Sequence, residues 1–419
     1  MKKSQYNLIY DLEKDEKLIY NTRTLGLSIL EDEEFDVYKT IELHHSKTKL
    51  ISDLYQSGFI VDDDCDELKI LSNRLNSERF SKDVLRLTIA PTLNCNFSCT
   101  YCYEKSGENK TNVIMSDNIC EKLIEFIKKR ANGFKKLDVV WYGGEPLLAL
   151  EVIEKISTEL INICEERNMI YTGSMVTNGF FLNKNVCERI KRINVSTLQI
   201  TIDGPAKVHD ERRMLLNGIG TYDKILDNLK SLCDTSLNVA LRVNIDKSNS
   251  NYVSQLIDEI SKLNQKNITI NFANVMLKDN SDNVFTLKEF SEIWLREIDY
   301  CEKCGLNHNS YCLPKGANFC DADSDNSFVI DPEGYIYKCW KDIGNRSNSI
   351  GYLNSNPKFS ALYYDYMTYD ATRDEICKKC NLLPLCMGGC PYERIHNGER
   401  CPMYTNIMKD IITRLAKQI

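Results

Sequence analysis

A chain of 419 residues, 42% hydrophobic and 27% charged, has the makeup of an ordinary globular protein with about two to four domains. Its net charge of -7 argues against a nucleic-acid binder, which carries a basic excess. No apolar run reaches the roughly 18–20 residues of a membrane helix, and Met1 to Lys14 lacks the apolar stretch and cleavage site of a secretory signal, so a cytoplasmic protein is expected.

The N-terminal stretch opens with two alternating runs, Tyr6–Tyr10 and Lys17–Tyr20, that read as short strands. Residues 33–43 and 47–58 carry helical spacing, with Phe35, Tyr38 and Ile41 on one face and Leu50, Leu54 and Tyr55 on another. Strands followed by helices predict a winged-helix-like module over residues 1–80. Such a module either caps the next domain or binds an extended peptide by strand addition. Ile60-Val61 runs into an acidic patch, Asp62 to Glu67, and residues 68–84 read as a charged helical linker.

From residue 85 to 300 strand and helix patterns alternate. The strand-like runs are Leu85–Ala90, Leu137–Tyr142, Ile170–Val176, Thr197–Ile202, Leu237–Asn244 and Asn267–Phe272. The helical runs are Ser116–Ala131, with Ser116 as N-cap, then Leu147–Arg167, Lys184–Arg192, Tyr222–Leu232, Asn251–Leu263 and Leu287–Cys301. This alternation implies a parallel sheet flanked by helices. The units are too few to close an eight-stranded barrel. An open, partial (β/α)6 barrel is therefore expected over residues 81–300, with its chemistry beyond the C-terminal strand ends.

The unusual residues do follow the strands. Cys95, Cys99 and Cys102, in CxxxCxxC spacing, follow the first. Gly143-Gly144-Glu145-Pro146 follows the second, Thr177-Asn178-Gly179 the third and Asp203-Gly204-Pro205 the fourth, while Arg242 and Asn244 end the fifth. A cubane of iron and sulfide takes four thiolates, so three clustered cysteines leave one iron open. A ligand chelating that iron through an amine and a carboxylate suits the rest of the set. Glycines admit close backbone approach. Glu145 and backbone carbonyls accept from an ammonium, while Thr177, Asn178 and Asp203 suit ribose hydroxyls. The guanidinium of Arg213 or Arg242 suits the carboxylate. Three cysteines within eight residues, with no histidine nearby, fit a tetrahedral zinc site poorly.

This pattern resembles the radical S-adenosylmethionine superfamily over roughly residues 85–300. Cys95–Tyr103 is similar to its CxxxCxxC signature, including an aromatic residue, Tyr101, before the third Cys. Gly143–Pro146 matches its GGEP motif. Thr201–Pro205 with His209, Asp210 and Arg213 is similar to its SLDGP…HD..R segment, with Thr for the usual Ser. The resemblance implies that Asn178 and Asp203 hold the ribose and that Arg213 reaches the methionine carboxylate.

The C-terminal stretch, residues 301–419, is a second cysteine field. Cys320 stands before Gly334 and Cys339; Cys377, Cys380, Cys386 and Cys390 follow, then Cys401. This spacing resembles the SPASM domain of the same superfamily, which implies two auxiliary 4Fe–4S clusters beside the first, three in all. By that resemblance Cys377, Cys380, Cys386 and Cys401 hold the distal one, and Cys320, Cys339 and Cys390 the nearer one. Its fourth ligand is either Cys312 or, if that iron is open, a substrate thiolate. Asp331–Gly334 reads as the turn of a hairpin. Zinc remains an alternative for the CxxC pairs. Five isolated cysteines, Cys65, Cys120, Cys164, Cys187 and Cys233, read as small core residues.

The family resemblance implies reductive cleavage of S-adenosylmethionine to a 5'-deoxyadenosyl radical, which takes hydrogen from a substrate. Together with the N-terminal module it points to a maturase of sactipeptide or ranthipeptide type. The expected substrate is a ribosomally made precursor peptide with a leader, and the reductant a flavodoxin- or ferredoxin-type donor. A Cys thioether is the first expected product and a carbon–carbon link the second. An anaerobic sulfatase maturase making formylglycine is an alternative, and a non-catalytic iron–sulfur protein another. No general base is readable.

Overall fold

The computed structural model describes the chain apart from residues 13–14, 44–47, 107–112, 233–235, 277–282, 310–319, 355–356, 399–400 and 418–419. It forms two compact units: residues 1–80, 311–324 and 367–419, and residues 81–310 and 325–366.

In the first unit, β1 (Lys2–Lys3) will pair with a strand far along the chain. Strands β2 (Asn7–Asp11), β3 (Lys17–Asn21) and β4 (Leu27–Leu30) form an antiparallel sheet in that order. The expected pair of strands thus gains a third, Leu27-Ser28-Ile29-Leu30, too short to show a period of its own. Helices Asp32–Lys39 and Lys49–Gln56 follow, the second capped by the Thr48 side chain accepting from Ile51 N–H at 3.3 Å. Strand β5 (Ile60–Val61) then returns to pair with β1. Ile19, Leu30, Tyr38, Ile41, Ile51, Leu54, Phe59 and Ile60 bury one core among these elements.

The charged stretch after it is indeed a helix, Glu67–Arg79. It is no free linker, however, because Leu71 and Leu75 are buried. They pack with Tyr6 and with Ala371, Cys377, Leu383 and Met387 of the C-terminal segment. The Arg79 guanidinium donates to the carbonyls of Asp323 and Tyr369, at 3.1 and 2.8 Å. The first and last parts of the chain therefore share one core.

The second unit carries the alternating pattern. Its strands are β6 (Val84–Ile89), β7 (Lys136–Trp141), β8 (Ile170–Thr177), β9 (Val195–Thr201), β10 (Asn238–Ile245), β11 (Ile268–Asn274), β12 (Asn307–His308), β13 (Ser327–Ile330), β14 (Tyr335–Tyr337) and β15 (Gly351–Tyr352). They form one sheet in the order β12-β11-β10-β9-β8-β7-β6-β13-β14-β15, open at both ends. All pairs from β12 to β13 are parallel, and the last two are antiparallel. The six expected strands are β6 to β11, each within a few residues of its forecast span. The expected helices also form, and Ser116 caps the first by accepting from Ile119 N–H.

The sheet extends past the forecast at β13, which pairs with β6 in parallel register, Ile330 opposite Ile89. Pairing between residues this far apart leaves no local periodicity to read. The predicted hairpin turn at Asp331–Gly334 is present, with β13 and β14 antiparallel across it.

Shortening Leu71 to Ala removes packing on both parts of the shared core. A loss of about 2–5 kcal/mol is expected, seen as a lower midpoint in urea, together with faster proteolysis within residues 367–387. Wild-type protease resistance of that segment in the variant would count against a shared core.

Candidate functional site

Beyond β6 the chain runs Thr92-Leu93-Asn94 into the triad. Gly143 and Glu145, just after β7, lie alongside it: Gly144 N–H donates to Thr92 C=O at 3.3 Å and Glu145 N–H to Asn94 C=O at 2.8 Å. A β-carbon on Gly143 would stand 2.2 Å from the Thr92 carbonyl oxygen, and one on Gly144 2.3 Å from that of Asn94. Only glycine allows backbone this close. The glycine pair thus seats the loop that leads into the cysteines.

The other side of the triad loop is also pinned. Ser98 and Thr100 N–H donate to the carbonyls of Met214 and Arg212, at 2.8 and 3.0 Å, and Leu216 N–H donates to Asn96 C=O at 3.0 Å. This makes the segment after the His209 helix an antiparallel neighbour of Cys95–Cys102, and it carries Arg213 to the site.

Glu145 is fully buried. Its carboxylate accepts from Leu147 N–H (3.0 Å), the Thr177 hydroxyl (2.8 Å) and Asn178 N–H (2.7 Å). It therefore ties the ends of β7 and β8 together. Burial raises its pKa to about 7, against the lowering pull of those three donors and Arg213. The Asn178 amide donates to Asn96 Oδ1 at 2.8 Å and approaches the Cys95 sulfur at 4.0 Å, while its Oδ1 accepts from Phe180 N–H.

Tyr101, between Cys99 and Cys102, is the centre of a second network. Its hydroxyl donates to Asp203 and accepts from Arg213 (2.7 Å) and from the Asn244 amide (3.1 Å). Asp203, fully buried, also accepts from Asn244 N–H at 3.0 Å. Behind it Arg212 spans Asp203 and Asp246, with Nη1 2.8 Å from both Asp246 oxygens, and its guanidinium lies 4.9 Å over the Tyr101 ring. His209 is buried, and its ring accepts from Asp203 N–H at 3.3 Å. Burial, then the Arg213 and Arg212 charges, push its pKa well below the ordinary value, so it stays neutral. Burial also opposes charge on Arg213. The neighbouring Cys99, Tyr101 and Asp203 outweigh it and hold that side chain firmly protonated. Arg242 donates to Asn244 Oδ1 at 2.8 Å, and burial lowers its pKa.

Burial drives the Cys95 thiol up to about 12, with Glu145 and Cys99 adding to the rise. A thiolate is costly there unless a cation or metal shares the site. Phe97 N–H donates to its sulfur at 3.4 Å, the kind of contact that steadies a ligating thiolate. Among the described residues no three Cys, His, Asp or Glu side chains stand close enough to hold a single metal ion. Two buried donors, Arg213 Nε and Asn96 Nδ2, have no partner among the described residues. Asn96 lies within the triad loop and Arg213 in the segment paired with it, and such donors call for an acceptor. By donor chemistry the three thiols fit an iron–sulfur group, and the two open donors fit an acceptor such as a carboxylate.

Of the C-terminal cysteines, Cys320, Cys377, Cys380, Cys386, Cys390 and Cys401 lie in the first unit. Burial lifts the Cys386 thiol to about 11, with Cys380, Cys377 and Cys401 each contributing. Cys320 is exposed, and Cys390 is among the charges that it feels. Cys339 follows β14 in the second unit, near Tyr142, which stacks on Trp340 at 5.4 Å. Cys312 and Cys233 lie outside the described residues. Cys120, Cys164 and Cys187 are buried, but Cys65 is only partly so.

The individual turns are thus legible in the sequence, while their mutual wiring is not. Arg212, Asn96 and Asp246 carried no signal beyond adjacency to marked residues.

Residues 89–283 match the model of the Radical SAM superfamily, which spans the triad and every strand-end turn. The chain is 27% identical over 349 residues to the cysteine-type anaerobic sulfatase-maturating enzyme of Clostridium perfringens, covering 73% of this chain and 88% of that one. It is 22% identical over 410 residues to the radical SAM cyclopropyl synthase TigE of Paramaledivibacter caminithermalis, covering 87% and 82%. Among solved structures, anSMEcpe with bound AdoMet has a TM-score of 0.63 at 17% identity, covering 80% of this chain and 100% of that one. SuiB of Streptococcus suis bound to S-adenosylmethionine has a TM-score of 0.53 at 16%, covering 96% and 98%.

Glu145 sets a pH signature. Its folded pKa of about 7 lies above the ordinary 4.5, so the folded chain holds the extra proton between those values. Its stabilising contribution is full below the unfolded pKa and lost as pH rises through about 7. Urea unfolding of wild type and Glu145→Gln from pH 5 to 8 should show the difference moving against wild type as pH rises. A difference flat with pH would contradict it.

Proposed function

We propose, from the premise that residues 89–283 form a radical S-adenosylmethionine domain, that this chain matures a ribosomally made precursor peptide by forming an intrapeptide cross-link, a thioether from a Cys sulfur to a carbon. A 4Fe–4S cluster on Cys95, Cys99 and Cys102 would supply the electron that cleaves S-adenosylmethionine to methionine and a 5'-deoxyadenosyl radical. A flavodoxin- or ferredoxin-type protein would serve as reductant.

The protein's own part is positioning. Arg213 Nε and Asn96 Nδ2 are the donors left for the ligand, and Arg213 suits the methionine carboxylate. Tyr101 and Asp203 hold Arg213 from behind. Thr177 and Asp203 already serve Glu145 and Tyr101, so their first role is to fix the turns around the ribose. Cys377, Cys380, Cys386 and Cys401 would carry an auxiliary iron–sulfur centre.

The observation that carries the peptide reading is the module built on β2, β3 and β4. Each outer strand of this sheet, β2 and β4, has one side with no strand partner among the described residues, and Ile9 and Ile29 are exposed there. An extended leader suits such an edge. Likeness to the SuiB fold spans 96% of this chain, against 80% for anSMEcpe, which also supports the added module.

A second reading, a formylglycine-forming maturase, is favoured by the likeness to the sulfatase-maturating enzyme of Clostridium perfringens. Mass spectrometry separates the two. With reconstituted enzyme under reductant, a cross-linked Cys peptide loses two hydrogens and keeps its sulfur, whereas formylglycine made from Cys loses the sulfur. Cys95→Ala should abolish 5'-deoxyadenosine and product together. Turnover that persists in this variant would remove the triad from the chemistry.

Because residues 1–80 share a core with the C-terminal segment, the module is better tested by a point change than by deletion. Ile29→Asp on the exposed strand should weaken binding of the full precursor about tenfold, or about 1.4 kcal/mol. It should leave peptide-free formation of 5'-deoxyadenosine at its wild-type rate. Unchanged precursor affinity would argue against leader binding on this sheet.

A further inference from the structure

The segment after Cys339 is anchored at three points around the strand ends. Ile343 is buried in one core with Ala90 and Leu93, on the chain leading from β6 into the triad, and with Tyr142, which follows β7. The Trp340 indole stacks on Tyr142, with ring centroids 5.4 Å apart and planes 25° from parallel. The Tyr142 hydroxyl is hydrogen-bonded in turn to that of Tyr103, the residue after Cys102. On the other side the Lys341 ammonium donates to the Met276 sulfur at 3.5 Å, and Met276 stands two residues beyond β11. Trp340 and Lys341 therefore link strand ends that β8, β9 and β10 separate in the sheet.

One face of the indole rests on Tyr142, yet Trp340 is still 43% exposed, and Met276 is 46% exposed. Single apolar side chains on a surface are ordinary. These two differ in that each is held by a named contact, and both lie at the strand ends that carry the triad and its turns. An indole already fixed by stacking loses little freedom on binding, and tryptophan is among the residue types that most often anchor an interface. The methionine thioether adds an adaptable apolar edge, and the Lys341 ammonium offers a donor suited to a peptide carbonyl.

We propose that Trp340 and Met276 form an apolar seat for one large apolar side chain of the peptide substrate, close in sequence to the residue that is modified. The seat decides which stretch of the peptide is presented to the triad, so the two residues set specificity within the modified segment. This rests on the reading of the substrate as a peptide, whichever bond is made in it.

The test uses the three tryptophans of the full chain. Trp141 and Trp294 are buried, and only Trp340 is exposed. The protein is labelled with 5-fluorotryptophan, reconstituted anaerobically with iron and sulfide and kept oxidised. The fluorine resonance of Trp340 is the one missing in Trp340→Phe. The probes are two capped pentapeptides, acetyl-Ala-Leu-Cys-Leu-Ala-amide and its counterpart with Ser for both Leu. The leucine peptide should shift the Trp340 resonance saturably and leave the other two in place, whereas the serine peptide should need about tenfold more for the same shift. Met276→Ser should raise the half-saturating concentration of the leucine peptide about threefold. A Trp340 resonance that stays put, that moves equally with both peptides, or that moves with S-adenosylmethionine alone would overturn the inference.

Mass spectrometry of reconstituted reactions keeps the two readings apart. Modified peptide together with an unmoved Trp340 resonance overturns the seat alone. A resonance that moves as expected, with no peptide ever modified, overturns the proposed function and supports the seat.

Discussion

The Tyr101 hydroxyl is the point on which the site's geometry depends. One oxygen donates to Asp203 and accepts from Arg213 and Asn244. Those partners come from the end of β9, from the segment paired with the triad loop, and from β10. A phenol can serve all three because it offers one proton and two lone pairs. Buried charges survive only when paired and hydrogen-bonded, and here the pairing runs in a chain from Arg213 through Tyr101 and Asp203 to Arg212 and Asp246. The aromatic residue of the cysteine motif thus sets the position of an arginine more than a hundred positions later. It also keeps that cation buried beside the thiols.

The glycine motif complements it from the other side. Gly143 and Gly144 are required by protein backbone, which sits where their β-carbons would be. Glu145 then turns inward to bind the next strand end. Close approach, read in the sequence as room for a ligand, is first of all room for the Thr92–Asn94 loop. The ligand benefits indirectly, from a cysteine loop held rigidly on both edges.

Most of the second unit was legible in the sequence because its strands and helices repeat with clean periods and each strand end carries a marked turn. Where legibility failed, range was the reason. β13 belongs to the C-terminal cysteine field in sequence, yet it extends the main sheet beside β6. The helix Glu67–Arg79 looks like a charged linker because its buried residues are two leucines, Leu71 and Leu75, with the charged Glu67 and Arg79, and most of what the leucines face lies three hundred residues on. Site residues divide in the same way. Cys95, Gly143, Asn178 and Asp203 are visible from type and spacing. Asn96 and Arg212 matter only through partners that sequence order does not reveal.

The shared core of the first unit has a consequence for how the chain is made. Residues 1–80 leave the ribosome before the segment they pack on, and domains generally fold in order of synthesis. Here Tyr6, Leu71 and Leu75 lack their packing partners until Ala371, Leu383 and Met387 have been synthesised, and the Arg79 guanidinium waits for the Tyr369 carbonyl. The sheet of β2, β3 and β4 can form early, but the helix Glu67–Arg79 completes its contacts only once residues 371–387 have been made. Maturation of the C-terminal cysteine segment thereby becomes a checkpoint on the N-terminal module. A nascent or truncated chain would display the module's strands without the core that fixes them.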